Sequence, residues 1–154
     1  LLQQGARQVV GVDVGHGQLH PRLRADPRVI ALEGVNARHL DAVTLPVAAY
    51  DLIVGDLSFI SLTLVLPALA PLLRGTLLML VKPQFELQPA DIGKGGLVKD
   101  PASFARVEQR LREACAACGL QVVDWSASAV AGGDGNHEFF IRAVPQAHPA
   151  EPKP

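Results

Sequence analysis

The sequence predicts an α/β domain whose sheet is mostly parallel, with an antiparallel last strand. Three observations carry this. Apolar runs of strand length at residues 8–14, 29–32, 52–54 and 77–81 alternate with segments of helical character. The run Leu52-Ile53-Val54 stops at Gly55-Asp56, and the run Leu77-Leu78-Met79-Leu80-Val81 stops at Lys82-Pro83, with residues 61–73 long and apolar enough for a covering helix between them. Such a strand–helix–strand unit joins parallel neighbours and sets Asp56 and Lys82 side by side at the carboxyl edge, where open α/β sheets bind ligands. Finally, residues 121–128 and 138–144 read as strands joined by the glycine-rich turn 131–136, a hairpin whose returning strand runs antiparallel to its predecessor.

The elements follow in order. Leu1 to Gln4 before Gly5 looks like the last turn of a helix with its glycine stop, so the chain is expected to begin in mid-domain. Residues 8–14 form a strand whose exit is the Gly15-His16-Gly17 turn. Residues 18–25 fit a short helix that Pro21 limits to one or two turns. Residues 29–32 are the next strand, and 37–40 a helical turn. Residues 83–99, with Gly93-Lys94-Gly95-Gly96, are too polar and glycine-rich for core and form a long loop of the kind that is usually functional or disordered. Asp100 as N-cap and Pro101 at the first helical position open a helix with Phe104, Val107, Leu111, Ala114 and Cys118 on one face and Gly119 at its end. The tail 146–154, with three prolines and no core residue, is expected to be disordered.

Composition narrows the function. The 154 residues are enough for one domain with a real core. A net charge of −1 shows no global signature of a nucleic-acid binder, although a local patch is compatible with it. Aliphatics dominate over seven aromatics, as for a sheet buried on both faces. Cys115 and Cys118 have CxxC spacing, but with no second pair and no nearby His they read as residues of a helix packed in the core. So few cysteines suit a reducing cytosol. No apolar run is long enough to span a bilayer, and the start lacks the basic and apolar regions of a secretory signal.

Five residues stand where chemistry is done. Asp13 ends a strand before glycine, where doubly wound folds place the acid that binds ribose hydroxyls; a turn aspartate would look the same. Asn36 follows the next strand and can contact a base or simply make a turn. Asp56 can be a site carboxylate or the cap of the helix after it, a part that Ser58 or Ser61 can also play. Lys82 is the sharpest: it is one of four lysines, and it ends a fully apolar strand, where neighbouring carboxylates or desolvation would govern it. Glu138 opens the last strand and joins the same edge if the hairpin folds back beside Lys82.

Four segments then carry a resemblance. Asp56-Leu57-Ser58-Phe59-Ile60-Ser61-Leu62, Leu80-Val81-Lys82-Pro83-Gln84-Phe85-Glu86, Gly93-Lys94-Gly95-Gly96-Leu97-Val98-Lys99-Asp100-Pro101 and Gly135-Asn136-His137-Glu138-Phe139 resemble the TlyA family. These are FtsJ-like, S-adenosylmethionine-dependent ribosomal RNA 2′-O-methyltransferases, often labelled hemolysins. Val12-Asp13-Val14-Gly15-His16-Gly17 fits the same family, and the resemblance runs from about Leu1 to Val144. It implies a Rossmann-like class I methyltransferase sheet over 1–145, here lacking its first strand. It implies a catalytic Lys–Asp–Lys–Glu set in which Asp56, Lys82 and Glu138 supply three members, and a cofactor site lined by Asp13, Asn36 and Asp56. It implies no metal. The family's first lysine, its glycine-rich cofactor loop and its S4-like RNA-binding domain lie further upstream and have no counterpart here.

That reading is chemically coherent. A methyl sulfonium is already electrophilic, so the protein must align the hydroxyl and manage one proton, and alignment alone supplies up to roughly 7–11 kcal/mol in the best cases. Lys82 would position the 2′-oxygen and help remove its proton, with Asp56 and Glu138 holding Lys82; the Gly93–Gly96 loop would close over the target nucleotide. Two other readings compete. A dehydrogenase-like nucleotide domain lacks its glycine fingerprint here, and a non-catalytic interaction module or pore-former lacks a membrane segment.

The absent strand would lie beside the strand carrying Asp56. Losing about five buried apolar side chains at ~1.5–3 kcal/mol each forfeits roughly 8–15 kcal/mol, comparable to a domain's whole stability of ~5–15 kcal/mol. The chain alone is therefore expected to be inactive and aggregation-prone and to melt without a sharp cooperative transition; a sharp calorimetric transition would contradict this.

Overall fold

The computed structural model describes residues 1–147; most of the tail expected to be disordered, residues 148–154, lies outside them. Six strands form: β1 (Val9–Asp13), β2 (Val29–Glu33), β3 (Tyr50–Asp56), β4 (Leu73–Val81), β5 (Leu120–Ala127) and β6 (Phe139–Pro145). Four α-helical segments accompany them: α1 (Pro21–Arg24), α2 (Leu62–Leu69), α3 (Pro83–Glu86) and α4 (Ser103–Ala117). β3, β4, β6 and β5 hydrogen-bond in that order, and β1 pairs with β2 alone. β1–β2 and β3–β4 are parallel, and β6 runs antiparallel to both its neighbours. The expected α/β class with one reversed strand is what forms.

The β3–α2–β4 unit is the centre. Leu62, Val65, Leu66 and Leu69 recur at helical spacing and are all buried. Ser61 caps α2 by accepting the Thr63 N–H at 3.2 Å. The helix stops at Leu69, short of the expected Leu73, because β4 already begins there; Ala70–Leu72 tighten into a 3-10 turn containing Pro71. Leu73, Leu77, Met79 and Val81 of β4 are buried and meet α2 from one side, with Val107, Leu111 and Cys115 of α4 and Ile141 and Ala143 of β6 completing the core.

Two local differences have simple causes. Asp100 caps a turn, not α4: its carboxylate accepts the Ala102 N–H and its carbonyl the Ser103 N–H, which moves the helix start to Ser103 and leaves Pro101 outside. The stretch 83–99 is not bare loop. It holds α3 and two 3-10 turns, and Ile92 and Val98 bridge across its glycine tip. Cys115 is fully buried and burial raises its thiol to about 11, and both cysteines are free, as the core reading required.

β1 and β3 each have one unpaired edge. A cavity of about 760 Å³ lies between them, lined by Val9, Val10 and Val12 of β1 and Ile53, Val54 and Asp56 of β3. Leu52 and Val54, apolar residues of β3, the edge strand of its sheet, are 43% and 47% exposed. Parallel strands are otherwise buried on both faces.

The β3–β4 ladder shifts register between Tyr50 and Leu52. Gly75 lies opposite that irregularity, and a Cβ there would sit 2.1 Å from the Asp51 carbonyl oxygen. At Gly55 the obstacle is the flexible end of Met79, at 2.3 Å. G75A is therefore expected to cost about 1–3 kcal/mol by urea unfolding of the complete gene product, and G55A less.

Candidate active site

Parallel pairing of β3 and β4 brings two side chains together. Asp56 is the last residue of β3 and pairs with Leu80; Lys82 leaves β4 two residues further on. The Lys82 ammonium meets Asp56 Oδ1 at 2.7 Å and donates to Ser58 Oγ at 3.2 Å. Lys82 has a side chain only 16% exposed, whereas Asp56 is 65% exposed. An ammonium has three donors, so one N–H remains for a substrate oxygen. The lysine is thus held on its protein side and open on the other.

Glu138 stands next to this pair without joining it. Val81 pairs with Phe139, so Glu138 lies one step beyond the ladder's end, across from Lys82. Its carboxylate turns toward Gly132, where a Cβ would sit 2.7 Å from Oε1. The expected meeting of three charged groups is a contact of two, with the third adjacent on the backbone.

The other sequence-derived residues sit at the tips of β1 and β2. Asp13 Oδ1 accepts the Gly15 N–H at 2.7 Å, and Asn36 Oδ1 accepts the Arg38 N–H at 3.0 Å. Each so far does the work of a turn residue, with its second polar atom unengaged among the described residues. Asp56 lines the cavity, as do Ala37 and Leu40 just past Asn36; Asp13 and Asn36 lie outside its lining. Glu33 holds the Asp13 turn from below: it accepts the Gly17 N–H and pairs with Arg24, whose guanidinium draws its carboxyl below the usual range.

Four features were not read as site residues from sequence. Ser58 shares the lysine with Asp56. Phe59 is 90% exposed at φ 63°, the left-handed region that a bulky residue occupies only under constraint, and its ring lies 5.1 Å from that of Phe85. The buried carboxylate of Glu86 accepts from Ser61 Oγ at 2.5 Å and from the Leu62 N–H at 2.7 Å; burial pushes its pKa above the usual carboxylate range against those two bonds. Asn136, 4% exposed, accepts the Val98 N–H and donates to the Gly96 carbonyl and to Asp134. The Asn136 N–H and amide hold the Asp134 carboxyl low, and Gln84, two residues past Lys82, donates to the same carboxylate. Asn136 thereby ties the Gly93–Gly96 loop to the turn that leads into Glu138. Such partners are long-range, and only the Gly135-Asn136-His137-Glu138 motif hinted at one.

Among the described residues, no group of three or more His, Cys, Asp or Glu could hold a metal ion, and no helix is long and apolar enough to cross a membrane.

Residues 1–144 match the model of the FtsJ-like methyltransferase family. The chain is 44% identical over 143 residues to the 16S/23S rRNA (cytidine-2′-O)-methyltransferase TlyA of Mycobacterium tuberculosis, covering 92% of this chain and 53% of that protein. It is 34% identical to hemolysin A of Brachyspira hyodysenteriae, covering 94% of this chain and 61% of that one. A hemolysin-named structure from Streptococcus thermophilus superposes with a TM-score of 0.88 at 38% identity, over 94% of this chain and 55% of that chain. A Burkholderia thailandensis N-methyltransferase solved with S-adenosylhomocysteine shares the fold alone, with a TM-score of 0.63 at 20% identity over 95% of this chain and 64% of that one. The chain spans about half the length of the curated relatives it matches. With a family match over nearly its whole length, the chain belongs to the FtsJ-like methyltransferases.

Proposed function

We propose that this chain is the catalytic part of an enzyme that methylates a ribose 2′-hydroxyl of ribosomal RNA in the cytoplasm, with S-adenosylmethionine as methyl donor. The observation that carries it is the Lys82–Asp56 pair at the carboxyl edge of two parallel strands. When bound, the cofactor supplies an electrophilic methyl group. Lys82 directs its free N–H at the 2′-oxygen, fixing the approach and stabilising the charge on that oxygen as its proton passes to solvent at the exposed edge and the oxygen takes the methyl group. Asp56 and Ser58 hold the ammonium in place. Glu138, one step across the ladder, is positioned to reach the same amine by a side-chain rotation away from Gly132.

The cofactor belongs at the same edge. The channel between β1 and β3 reaches that edge at Asp56, so a ligand lodged at its carboxyl end would lie against the pair. Asp13 and Asn36 retain one unengaged polar atom each for a ribose and a base. The same channel also separates the two open strand edges. One further parallel strand, from a segment preceding Leu1, would pair with both and leave the cofactor the carboxyl end; residues 1–145 are then the larger part of one domain. Contacts with RNA outside the catalytic edge fall to an upstream S4-like domain. A pore-forming reading has no observation in its favour beyond the names of the hemolysin-named relatives.

Phe59 adds a reason to favour a nucleotide substrate. A strained, exposed ring within one loop of a catalytic pair is a surface on which an unstacked base can lie.

Two outcomes test the reading in the complete gene product, measured as 2′-O-methylated nucleosides released from ribosomal RNA. K82A is expected to lower kcat by about 10²–10⁴-fold with its fold intact, and retained activity would refute the assignment. F59A is expected to weaken RNA binding by about 1–3 kcal/mol, seen as a higher KM for RNA with the cofactor KM unchanged.

A further inference from the structure

Glu86 is the buried charge that the site above does not use. It is 4% exposed, and its carboxylate takes the Ser61 hydroxyl and the Leu62 N–H. No cation forms a direct ion pair with that carboxylate among the described residues; Arg110 of α4 donates to the Glu86 backbone carbonyl at 2.6 Å, and its charge offsets only part of the upward shift that burial imposes. Burying a carboxylate without a paired cation is costly, and the Leu62 N–H at the start of α2, which it serves, needs only a neutral acceptor. Ser61 Oγ serves the next N–H, that of Thr63.

What the carboxylate does is join two loops. Ser61 comes five residues after Asp56, and Glu86 four after Lys82. Each belongs to the segment through which its strand leaves the sheet. The segment 57–61 carries Ser58, which holds Lys82, and Phe59. α3 begins directly after Lys82, and the Phe85 N–H returns to the Lys82 carbonyl at 2.9 Å. Phe59 against Phe85 is a second contact between the same two segments. Arg110 fixes α3 to α4 from behind. The strand ladder itself ends at Asp56 and Val81, so beyond the sheet the relative placement of Ser58 and Lys82 rests on these cross-loop contacts.

We infer that Glu86 is a positioning residue: its carboxylate, bridging Ser61 and Leu62, locks the exit of β3 against the exit of β4 and so holds Asp56 and Ser58 on the Lys82 amine. This rests on the proposed methyl transfer for its kinetic readout, but its geometric content is separate. A misplacement of about 1 Å at such a site costs up to about 10²-fold in rate.

The test uses the complete gene product with E86A, E86Q, S61A and the E86A/S61A double variant. In methyl transfer to ribosomal RNA, E86A is expected to lose about 10- to 100-fold in kcat, with the cofactor KM changed by less than about twofold. E86Q keeps an acceptor for the Leu62 N–H and is expected to recover most of that loss. S61A is expected to lose less than E86A in kcat, and the double variant to fall no lower in kcat than E86A, since for the placement of Lys82 both break the Ser61–Glu86 link; the Thr63 cap that S61A also removes is read separately as a lower melting temperature. In parallel, each protein is labelled with an amine-acylating reagent and the lysines are quantified by mass spectrometry. Lys82 is expected to label several-fold faster in E86A than in the natural protein, with Lys94 and Lys99 unchanged as internal references.

If E86A melts cooperatively and keeps kcat within threefold, or if Lys82 labels no faster than before, the inference fails. If E86Q loses as much as E86A, the hydrogen-bonded bridge is not what matters and it fails as well. Where E86A does not fold, S61A decides by the same two measurements. If the natural protein transfers no methyl group, the proposed function falls, and the labelling result still judges Glu86.

Discussion

The parallel register of β3 and β4 is the constraint on which the site depends. Asp56 opposite Leu80 leaves Lys82 two residues beyond its partner strand's end, so the longer side chain reaches back across the rim to the shorter one. A shift of one residue would turn both side chains to the opposite faces of the sheet. The register is held by the alternation of buried Leu77, Met79 and Val81 against α2 and α4, a set of contacts that admits no slip without exposing all three. Core packing and site geometry are therefore the same arrangement seen from two ends of one strand pair. The bulge opposite Gly75 sits at the far end of the ladder, where an irregularity leaves the edge that carries Asp56 and Lys82 undisturbed.

Much of this was legible in the residues because it was local. Apolar runs that stop abruptly at Asp56 and Lys82 mark strand ends, and parallel connection puts those ends side by side. The hairpin pattern placed Glu138 on the same rim, and β6 delivers it there; the direction of its carboxylate was beyond any pattern, since it depends on which rotamer the Gly132 turn accommodates. Asp13 and Asn36 were read for their position at strand tips, and the structure finds them occupied by their own turns. The misplaced helix ends have a different origin. Residues 70–73 and Asp100-Pro101 satisfy helical pattern and cap rules equally well outside a helix, and tertiary pairing of β4 and the turn at Asp100 decided between them.

What sequence reasoning missed shares one property. Ser58, Glu86 and Asn136 act through partners 24 to 40 residues away, and the chain carries no periodic sign of such pairs. Glu86 in particular reads as an ordinary polar residue ending Pro-Gln-Phe-Glu, and only its burial shows otherwise. The glycine segment changes meaning in the same way. Its composition speaks for a free flap, yet Asn136 grips Val98 and Gly96 from the hairpin, and the Ile92–Val98 bridge closes its base. The unrestrained part is reduced to a tip around Lys94 and Gly95. A closing motion over a nucleotide would be confined to that tip, and its rest position is coupled to the turn that precedes Glu138.

The two members of the ion pair are not equivalent. Lys82 leaves a strand paired on both sides, and Val81 before it is fully buried. Asp56 leaves a strand paired on one side only, whose other edge faces the channel. Its carboxylate is correspondingly exposed, and water there weakens the attraction that holds the amine. Any backbone that adds to the free edge of β3, and any ligand that fills the channel at Asp56, removes that water from one member of the pair alone. Ser58, the lysine's second partner, stands on the segment that Glu86 ties down at Ser61, away from that edge. The proposed function therefore places its sensitivity to the surroundings of the pair on the Asp56 side, while the side built by β4 is set by core packing.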